Sequence, residues 1–98
     1  MPKHLLHRFA LEADGRHYWI ALHDEQMDTV LGGDRRVIET PPRGPTPADA
    51  RPAWWYFNDS ASGVLRVEVG TSAEEARPIW EGHLLDMYFG RLCPVLLP

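Results

Sequence analysis

Residues 4–23 read HLLHRFALEADGRHYWIALH, and this stretch decides the fold. At its centre, Asp14-Gly15 is a strong two-residue turn signal, because both residue types tolerate the positive φ angles of a tight hairpin turn. With this pair at the turn, Ala13 faces Arg16, and every other facing pair follows from that one. The stretch therefore predicts a β-hairpin with a defined register.

This register divides the hairpin into an apolar face and a mixed face, because neighbouring side chains of a strand point to opposite sides. The apolar face is predicted to line the core, and it holds Leu5, His7, Phe9, Leu11, Tyr18, Ile20 and Leu22. The mixed face carries Trp19 as its largest apolar group. A histidine on an apolar face is usually half-buried and hydrogen-bonded, and this is how we interpret His7.

Residues 53–70 predict a second hairpin. The segment AWWYF is dense in aromatic residues that favour strands, VLRVEV alternates in polarity, and the polar residues between them supply a turn. A four-residue loop would turn Trp54 and Tyr56 toward the core, whereas a loop one residue longer or shorter would turn Trp55 and Phe57 inward. Both registers leave two large aromatic side chains on the outside, and the sequence does not choose between them.

Residues 24–33, DEQMDTVLGG, allow two interpretations. In the first, Asp24 caps a short helix that has Met27, Val30 and Leu31 on one side and ends at Gly32. In the second, the glycine pair 32–33 forms a turn that leads into a short fifth strand at 35–40.

Residues 41–52 contain five of the nine prolines. Proline lacks a backbone donor and restricts φ, so this stretch is predicted to be a Pro-rich internal loop rather than a helix or a central strand. Loops of this length are uncommon inside a small domain. We expect either that it folds over a sheet and completes the core, or that another chain does so.

The C-terminal part is predicted to be helical. Ser72 and Glu75 have the spacing of a capping box, and Pro78 interrupts any helix that begins there. From about Ile79 onward, large apolar residues recur at helical spacing, namely Trp80, Leu84, Leu85, Tyr88, Phe89 and Leu92. A strand at 78–82 is the alternative.

Together these elements predict an α+β fold in one domain spanning residues 1–98. We expect one small antiparallel sheet built from the two hairpins, with the strand at 35–40 as an optional fifth. The C-terminal helix would pack across one face of that sheet. A chain of 98 residues is long enough for a single modest core.

The charge balance limits the classes of partner. Ten basic and fourteen acidic residues leave a formal net charge of −4, and no segment carries the clustered basic stripe that phosphate binding needs. We therefore expect neither duplex DNA nor an anionic membrane surface as a partner. No uncharged apolar run reaches the ~20 residues of a spanning helix, and the first residues do not resemble a signal peptide.

Residue usage also indicates a compartment and a source. Cys93 is the one cysteine, so no intrachain disulfide can form, and this fits the reducing cytoplasm. Nine of the ten basic residues are arginine, a bias typical of GC-rich bacterial coding sequences. We expect a cytoplasmic bacterial protein.

The aromatic residues are the most informative functional feature. Neighbouring residues of one strand cannot all face a single core, so some members of the cluster at 54–57 must lie on an outer surface. Trp and Tyr are enriched at protein interfaces because each buries a large area with few rotatable bonds. We predict an interaction surface for a protein partner or a second copy of the chain, drawn from Trp19, Trp54, Trp55, Tyr56 and Phe57.

Two other classes of function compete with this prediction. On the mixed face of the first hairpin, His4 and His23 lie diagonally opposite, where two imidazoles could contribute to a metal site or a small active site. Aromatic side chains on a sheet can also stack single-stranded bases, although the net acidity disfavours it. No motif assigns a catalytic residue, a cofactor or a metal ligand, so we expect a non-catalytic binding protein.

Overall fold

The computed structural model describes residues 6–31 and 41–96, and its strands form two sheets. The first sheet has the spatial order β3-β2-β1-β7, and the second has the order β4-β5-β6. The strands are β1 (Leu6–Ala13), β2 (Arg16–His23), β3 (Arg51–Pro52), β4 (Trp54–Asp59), β5 (Val64–Val69), β6 (Arg77–His83) and β7 (Cys93–Val95). One α-helix, α1 (Asp24–Leu31), and one 3-10 helix, Leu84–Phe89, complete the described elements.

The first hairpin has the predicted register. Ala13 pairs with Arg16, and the pairing continues to Leu6 opposite His23. Asp14 and Gly15 have φ angles of 54° and 73°, as a two-residue turn of this type requires.

The second hairpin takes the register that turns Trp55 and Phe57 toward the core. Trp55 pairs with Val67, and Phe57 pairs with Leu65. The side chains of Val67 and Leu65 are fully buried. The pairing is irregular between Phe57 and Asp59, so β4 carries one residue more than β5 at this point. A shift of one residue moves every side chain of a strand to the opposite face, and here it places Trp54 and Tyr56 outside.

The predicted C-terminal helix is wrong, and with it the α+β assignment. Residues 77–83 form strand β6, which pairs along the whole of β5, and a 3-10 helix follows it. Pro78 and the glycines at 82 and 90 oppose an α-helix, whereas pairing with β5 satisfies the backbone of the alternative strand. The described part of the chain is predominantly β-sheet, with two sheets and no C-terminal helix packed on either.

Ser72 and Glu75, which were expected to form a capping box, do not begin a helix. The backbone N–H of Glu75 donates to the carbonyl of Ser72 at 3.2 Å, which closes a turn between β5 and β6. The Thr71 hydroxyl donates to the Glu75 carboxylate within the same turn. The polar residues therefore serve the connection between two strands.

Helix α1 is the helix of the first interpretation, but Asp24 is its first residue and not its cap. It begins at Asp24, and the Gln26 side-chain oxygen accepts a 2.8 Å hydrogen bond from the N–H of His23, as in one half of a capping box. Met27 is fully buried. His7 is half-buried and donates from Nε2 to the Asp24 carboxylate at 2.7 Å, which agrees with its interpretation. The predicted strand at 35–40 lies outside the described residues.

Both sheets contribute to one hydrophobic core. Phe9, Leu11, Tyr18, Ile20 and Leu22 of the first hairpin are buried as predicted. They form a single cluster with buried residues of the second sheet, of α1 and of the C-terminal segment, namely Leu65, Val67, Met27, Leu84, Met87 and Leu92. The two sheets thus share their inner faces, which leaves each sheet with one outer face.

Residues 43–52 form a segment that we call the strap, and it is anchored at both edges of the first sheet. At the β7 edge, Arg43 N–H donates to the carbonyl of Pro94 at 2.8 Å, and Leu96 N–H donates to the carbonyl of Gly44 at 2.8 Å. At the opposite edge, β3 pairs with β2 in parallel. The Pro-rich loop therefore spans the width of this sheet.

Between its anchors the strap passes over the outer face of the first sheet. Pro47 lies against this face and lines a cavity of about 270 Å³ together with Ala10, His17 and Cys93. His17 Nδ1 donates to the Asp49 carboxylate at 3.2 Å. Of the two alternatives raised for the loop, the structure shows the one in which it folds over a sheet.

Candidate functional site

The outer face of the second sheet carries two exposed aromatic side chains. Trp54 is 48% exposed and Tyr56 is 44% exposed. They are two residues apart on β4, so their side chains lie on the same side of the sheet. We call this surface the aromatic face; its members are Trp54, Tyr56, Arg66, Glu68 and Glu81.

Charged residues lie next to the two rings on the aromatic face. Glu68 pairs with Trp54 across the strands, and Arg66 lies between Tyr56 and Glu81. The Arg66 Nε and a Glu68 carboxylate oxygen are 3.3 Å apart, so these two charges form an ion pair. The aromatic rings of the face therefore lie on β4, and its charged residues, two of them acidic and one basic, lie on β5 and β6.

The remaining carboxylate of the face is bound by a neutral group. Asn58 donates from its side-chain amide to Glu81 at 2.9 Å. Glu81 is exposed. A carboxylate has several acceptor positions, so one amide leaves this group able to accept further donors.

Trp55 and Phe57 have structural roles. Their rings meet edge to face with centroids 5.2 Å apart and an interplanar angle of 78°. The Trp55 indole N–H donates to the carbonyl of Ala21 at 2.7 Å, which ties β4 to the first sheet. Both side chains pack against the shared core. Two of the five predicted interface residues thus hold the two sheets together.

Trp19 is half-buried on the outer face of the first sheet. The guanidinium carbon of Arg8 lies 3.7 Å from the centre of the indole ring, which is a cation–π contact. The backbone carbonyl of Trp19 accepts a 2.9 Å hydrogen bond from the N–H of Ala53, the residue that follows the strap. The chain itself supplies the group that covers this ring.

An open groove adjoins the aromatic face where β4 and the end of β2 diverge. Its volume is about 670 Å³, and its lining residues are Ala21, His23, Gln26, Trp55, Tyr56, Phe57 and Ser60. Tyr56 belongs both to this groove and to the aromatic face.

The histidines do not form a metal centre within the part of the chain that the structure describes. His23 is exposed, and His4 lies outside the described residues. No group of three or more His, Cys, Asp or Glu side chains suited to a metal ion occurs within residues 6–31 and 41–96. His83 Nδ1 accepts from Leu85 N–H at 3.0 Å, where it caps the 3-10 helix. The Cys93 thiol donates to the carbonyl of Gly90 at 3.1 Å.

Two carboxyl groups have pKa values lowered by local hydrogen bonds. The imidazole of His17 is the main cause of the lowered pKa of Asp49, which lies in the strap. The Ser62 hydroxyl, 2.7 Å away, is the main cause of the lowered pKa of Asp59 in the second hairpin. Both groups are exposed and have structural partners, so neither resembles a catalytic acid or base.

The sequence did not identify the charged members of the aromatic face. Arg66, Glu68 and Glu81 become neighbours of the rings only through the register of the second sheet and the presence of β6. The alternation of VLRVEV placed Arg66 and Glu68 on the outer side, and this was the available signal. The position of Glu81 depended on recognising residues 77–83 as a strand.

Comparison with known proteins adds no assignment. No protein-family model, no curated protein and no solved structure matches this chain. No helix among the described residues is long and apolar enough to cross a membrane.

Proposed function

We propose that this chain is a non-catalytic binding protein that recognises a protein partner through the aromatic face. The observation that supports the proposal is the exposure of Trp54 and Tyr56, about half of each side chain, on the outer face of the second sheet. Exposing large aromatic rings to water forgoes their hydrophobic stabilisation, and such residues are typical anchors of protein interfaces.

The first sheet supports the proposal by contrast. Its outer face is crossed by the strap, and Trp19 is covered by Arg8. No segment among the described residues covers Trp54 and Tyr56 in a comparable way. A partner on the aromatic face would supply the cover that the chain supplies for itself elsewhere.

Single-stranded nucleic acid is less well supported as the ligand. Two exposed rings at strand spacing are suited to stacking bases. However, residues 53–83 contain five carboxylates and two arginines, so phosphate groups would meet net repulsion. The charge of the sheet favours a polypeptide partner.

The cytoplasm of a bacterium is the location and source that we infer for this binding protein. The inference rests on the single cysteine and on the excess of arginine over lysine. Cell fractionation of a bacterial strain that encodes the chain would test it. Recovery in the membrane or periplasmic fraction would contradict the cytoplasmic location.

The test of the proposed function is native mass spectrometry, combined with affinity capture, on the wild type and a double variant. In the variant Trp54→Ala is combined with Tyr56→Ala, and we expect every specific complex to be lost. Leu6→Ala is the matched control, since Leu6 is 39% exposed but lies on the first sheet. The control should retain all complexes.

Two results would contradict the proposed function. One is a complex that survives the double variant unchanged, which would assign the interface to another surface. The other is a bound small molecule or metal ion in the absence of any protein partner. The mass excess over the bare chain distinguishes these outcomes.

A further inference from the structure

The chain contains one example of how it covers an exposed tryptophan on a sheet. On the first sheet, the Arg8 guanidinium stacks on Trp19 at 3.7 Å from the ring centre. Among the described residues this is the one such stacking of a cation on an aromatic ring. Arginine stacks well on indole because its planar, weakly hydrated cation meets the negative face of the ring.

The aromatic face has exposed rings beside carboxylates, and no cation among the described residues stacks on these rings. Trp54 and Tyr56 are about half exposed. The one arginine of the face, Arg66, is paired with Glu68 at 3.3 Å. Glu81 accepts from the neutral amide of Asn58, and no cation in the described part of the chain pairs with it.

The surroundings of the face reinforce this charge. The second sheet and its connections, residues 53–83, hold Asp59, Glu68, Glu74, Glu75 and Glu81 against two arginines. Asp59, Glu74, Glu75 and Glu81 are exposed. An acidic surface that surrounds aromatic rings attracts a basic partner and repels an acidic one.

We propose that the aromatic face binds an arginine-bearing segment of a partner protein. An arginine of that segment stacks on Trp54 or Tyr56, and a second basic side chain of the segment donates to Glu81, which lies across Arg66 from Tyr56. This step depends on the proposed function and adds the chemistry of the partner to it. The arrangement repeats between two chains what Arg8 and Trp19 form within one.

The experiment is a calorimetric titration of the full chain with a short blocked peptide of arginine, serine and glycine. The matched probe has citrulline in place of every arginine, because citrulline keeps the shape of the side chain and removes its charge. We expect the arginine peptide to bind, with an affinity that falls as salt is raised, and the citrulline peptide not to bind.

Three variants locate the binding. Trp54→Ala should weaken it about three- to tenfold, and Glu81→Gln about two- to fivefold. Leu96→Ala is the control, since Leu96 is 53% exposed at the β7 edge of the first sheet, and it should leave binding unchanged. Circular dichroism of each variant verifies that the fold is retained, as expected for exposed positions.

Several outcomes would overturn this inference. These are no binding of the arginine peptide, equal binding of the citrulline peptide, or binding that Trp54→Ala and Glu81→Gln leave unchanged. A homodimer that Trp54→Ala disrupts would make a second copy the occupant and would also overturn it. If a protein complex depends on Trp54 and Tyr56 but the arginine peptide does not bind, the proposed function stands and the basic partner is rejected.

Discussion

The outer faces of the two sheets differ in what covers them. On the first sheet, the strap crosses from β7 to β2, and Arg8 covers Trp19. On the second sheet, Trp54 and Tyr56 remain about half exposed. Both faces carry tryptophan on a strand, so composition does not explain the difference. The strap does, because this segment passes over the outer face of the first sheet and not over that of the second.

This difference divides the aromatic residues into those that stabilise the fold and those that are exposed and can contact a partner. Trp55 and Phe57 join the core, and Trp19 is covered from within the chain. Trp54 and Tyr56 are left on a surface with acidic neighbours. If the comparison is correct, substitutions in the two groups will have separable effects on stability and on binding.

The largest expected effect is a difference in stability between two alanine substitutions, one on each side of β4. Trp55→Ala should lower the free energy of unfolding by about 2–4 kcal/mol, because it removes a packed ring and the hydrogen bond to Ala21. Trp54→Ala should lower it by about 0.5 kcal/mol or less, since the ring is half exposed. Urea unfolding of both variants measures the difference. Equal losses, or a larger loss for Trp54→Ala, would mean that the second hairpin has the opposite register.

A second test compares one substitution in the second sheet and in the strap. In Gly82→Ala the new Cβ would overlap Cζ2 of Trp80 and would lie 2.6 Å from the Asp86 carboxylate, so the indole must move. We expect a loss of about 1–3 kcal/mol in the free energy of unfolding. Gly44→Ala is the control, because a Cβ there meets nothing within 4 Å, and it should change stability by less than about 0.5 kcal/mol. Similar losses in both variants would contradict the packing of Trp80 over Gly82.

A third, smaller effect tests the cover on Trp19. Arg8→Met keeps a long apolar stem and removes the cation, so we expect a loss of about 0.5–1 kcal/mol in the free energy of unfolding. The measurement is urea unfolding at low and high salt. Arg16→Met is the control, since Arg16 is exposed beside the turn. If both variants are as stable as the wild type, the stacking of Arg8 on Trp19 does not stabilise the fold.

The smallest effects are on two pKa values, one for each sheet. The carboxyl carbons of Asp49 and Asp59 should titrate below the ordinary pKa of 3.8, as followed by NMR. His17→Ala should raise the pKa of Asp49 alone, and Ser62→Ala should raise that of Asp59 alone. Because each pKa is lowered on folding, each contribution to stability is present above pH 3.8 and is lost as the pH falls through the lowered value.

A result in which His17→Ala shifts both carboxyl groups, or neither, would contradict the contact between the strap and the first sheet. The control is built into the pair, since each variant leaves the partner of the other carboxylate intact. Both carboxylates are exposed, so the chemical shift is a more sensitive measure than the unfolding curve.

Local signals predicted the first hairpin, whereas they left the short helix as one of two interpretations. Asp14-Gly15 specifies a turn and therefore a register, and the apolar face of that register is the buried one. The sequence could not choose the register of the second hairpin, because its longer polar turn accommodates an extra residue near Asn58. The choice depends on the partner strand β6 and on the core, which are not local properties.

The C-terminal prediction failed because apolar residues at 80, 84, 85, 88, 89 and 92 imitate helical spacing. The residues of this pattern lie in a strand, in a 3-10 helix and just before β7, and each of these segments contributes apolar side chains to the same core. Of the candidate interface, the aromatic members were predicted as a set and the register reduced that set to Trp54 and Tyr56. The acidic neighbours required the tertiary structure.

The pairing of β7 with β1 has a consequence for the order in which the molecule assembles. It joins Arg8 to Val95 and Ala10 to Cys93, residues far apart in the chain, whereas the first hairpin pairs close neighbours. Hairpins form within about 1–10 μs, but contacts of long sequence separation slow folding. The first hairpin should therefore exist for a time with the β1 edge unpaired. Until β7 pairs, the backbone groups of that edge are open to pairing with another chain, so slower docking of β7 should make the folding chain more prone to aggregate.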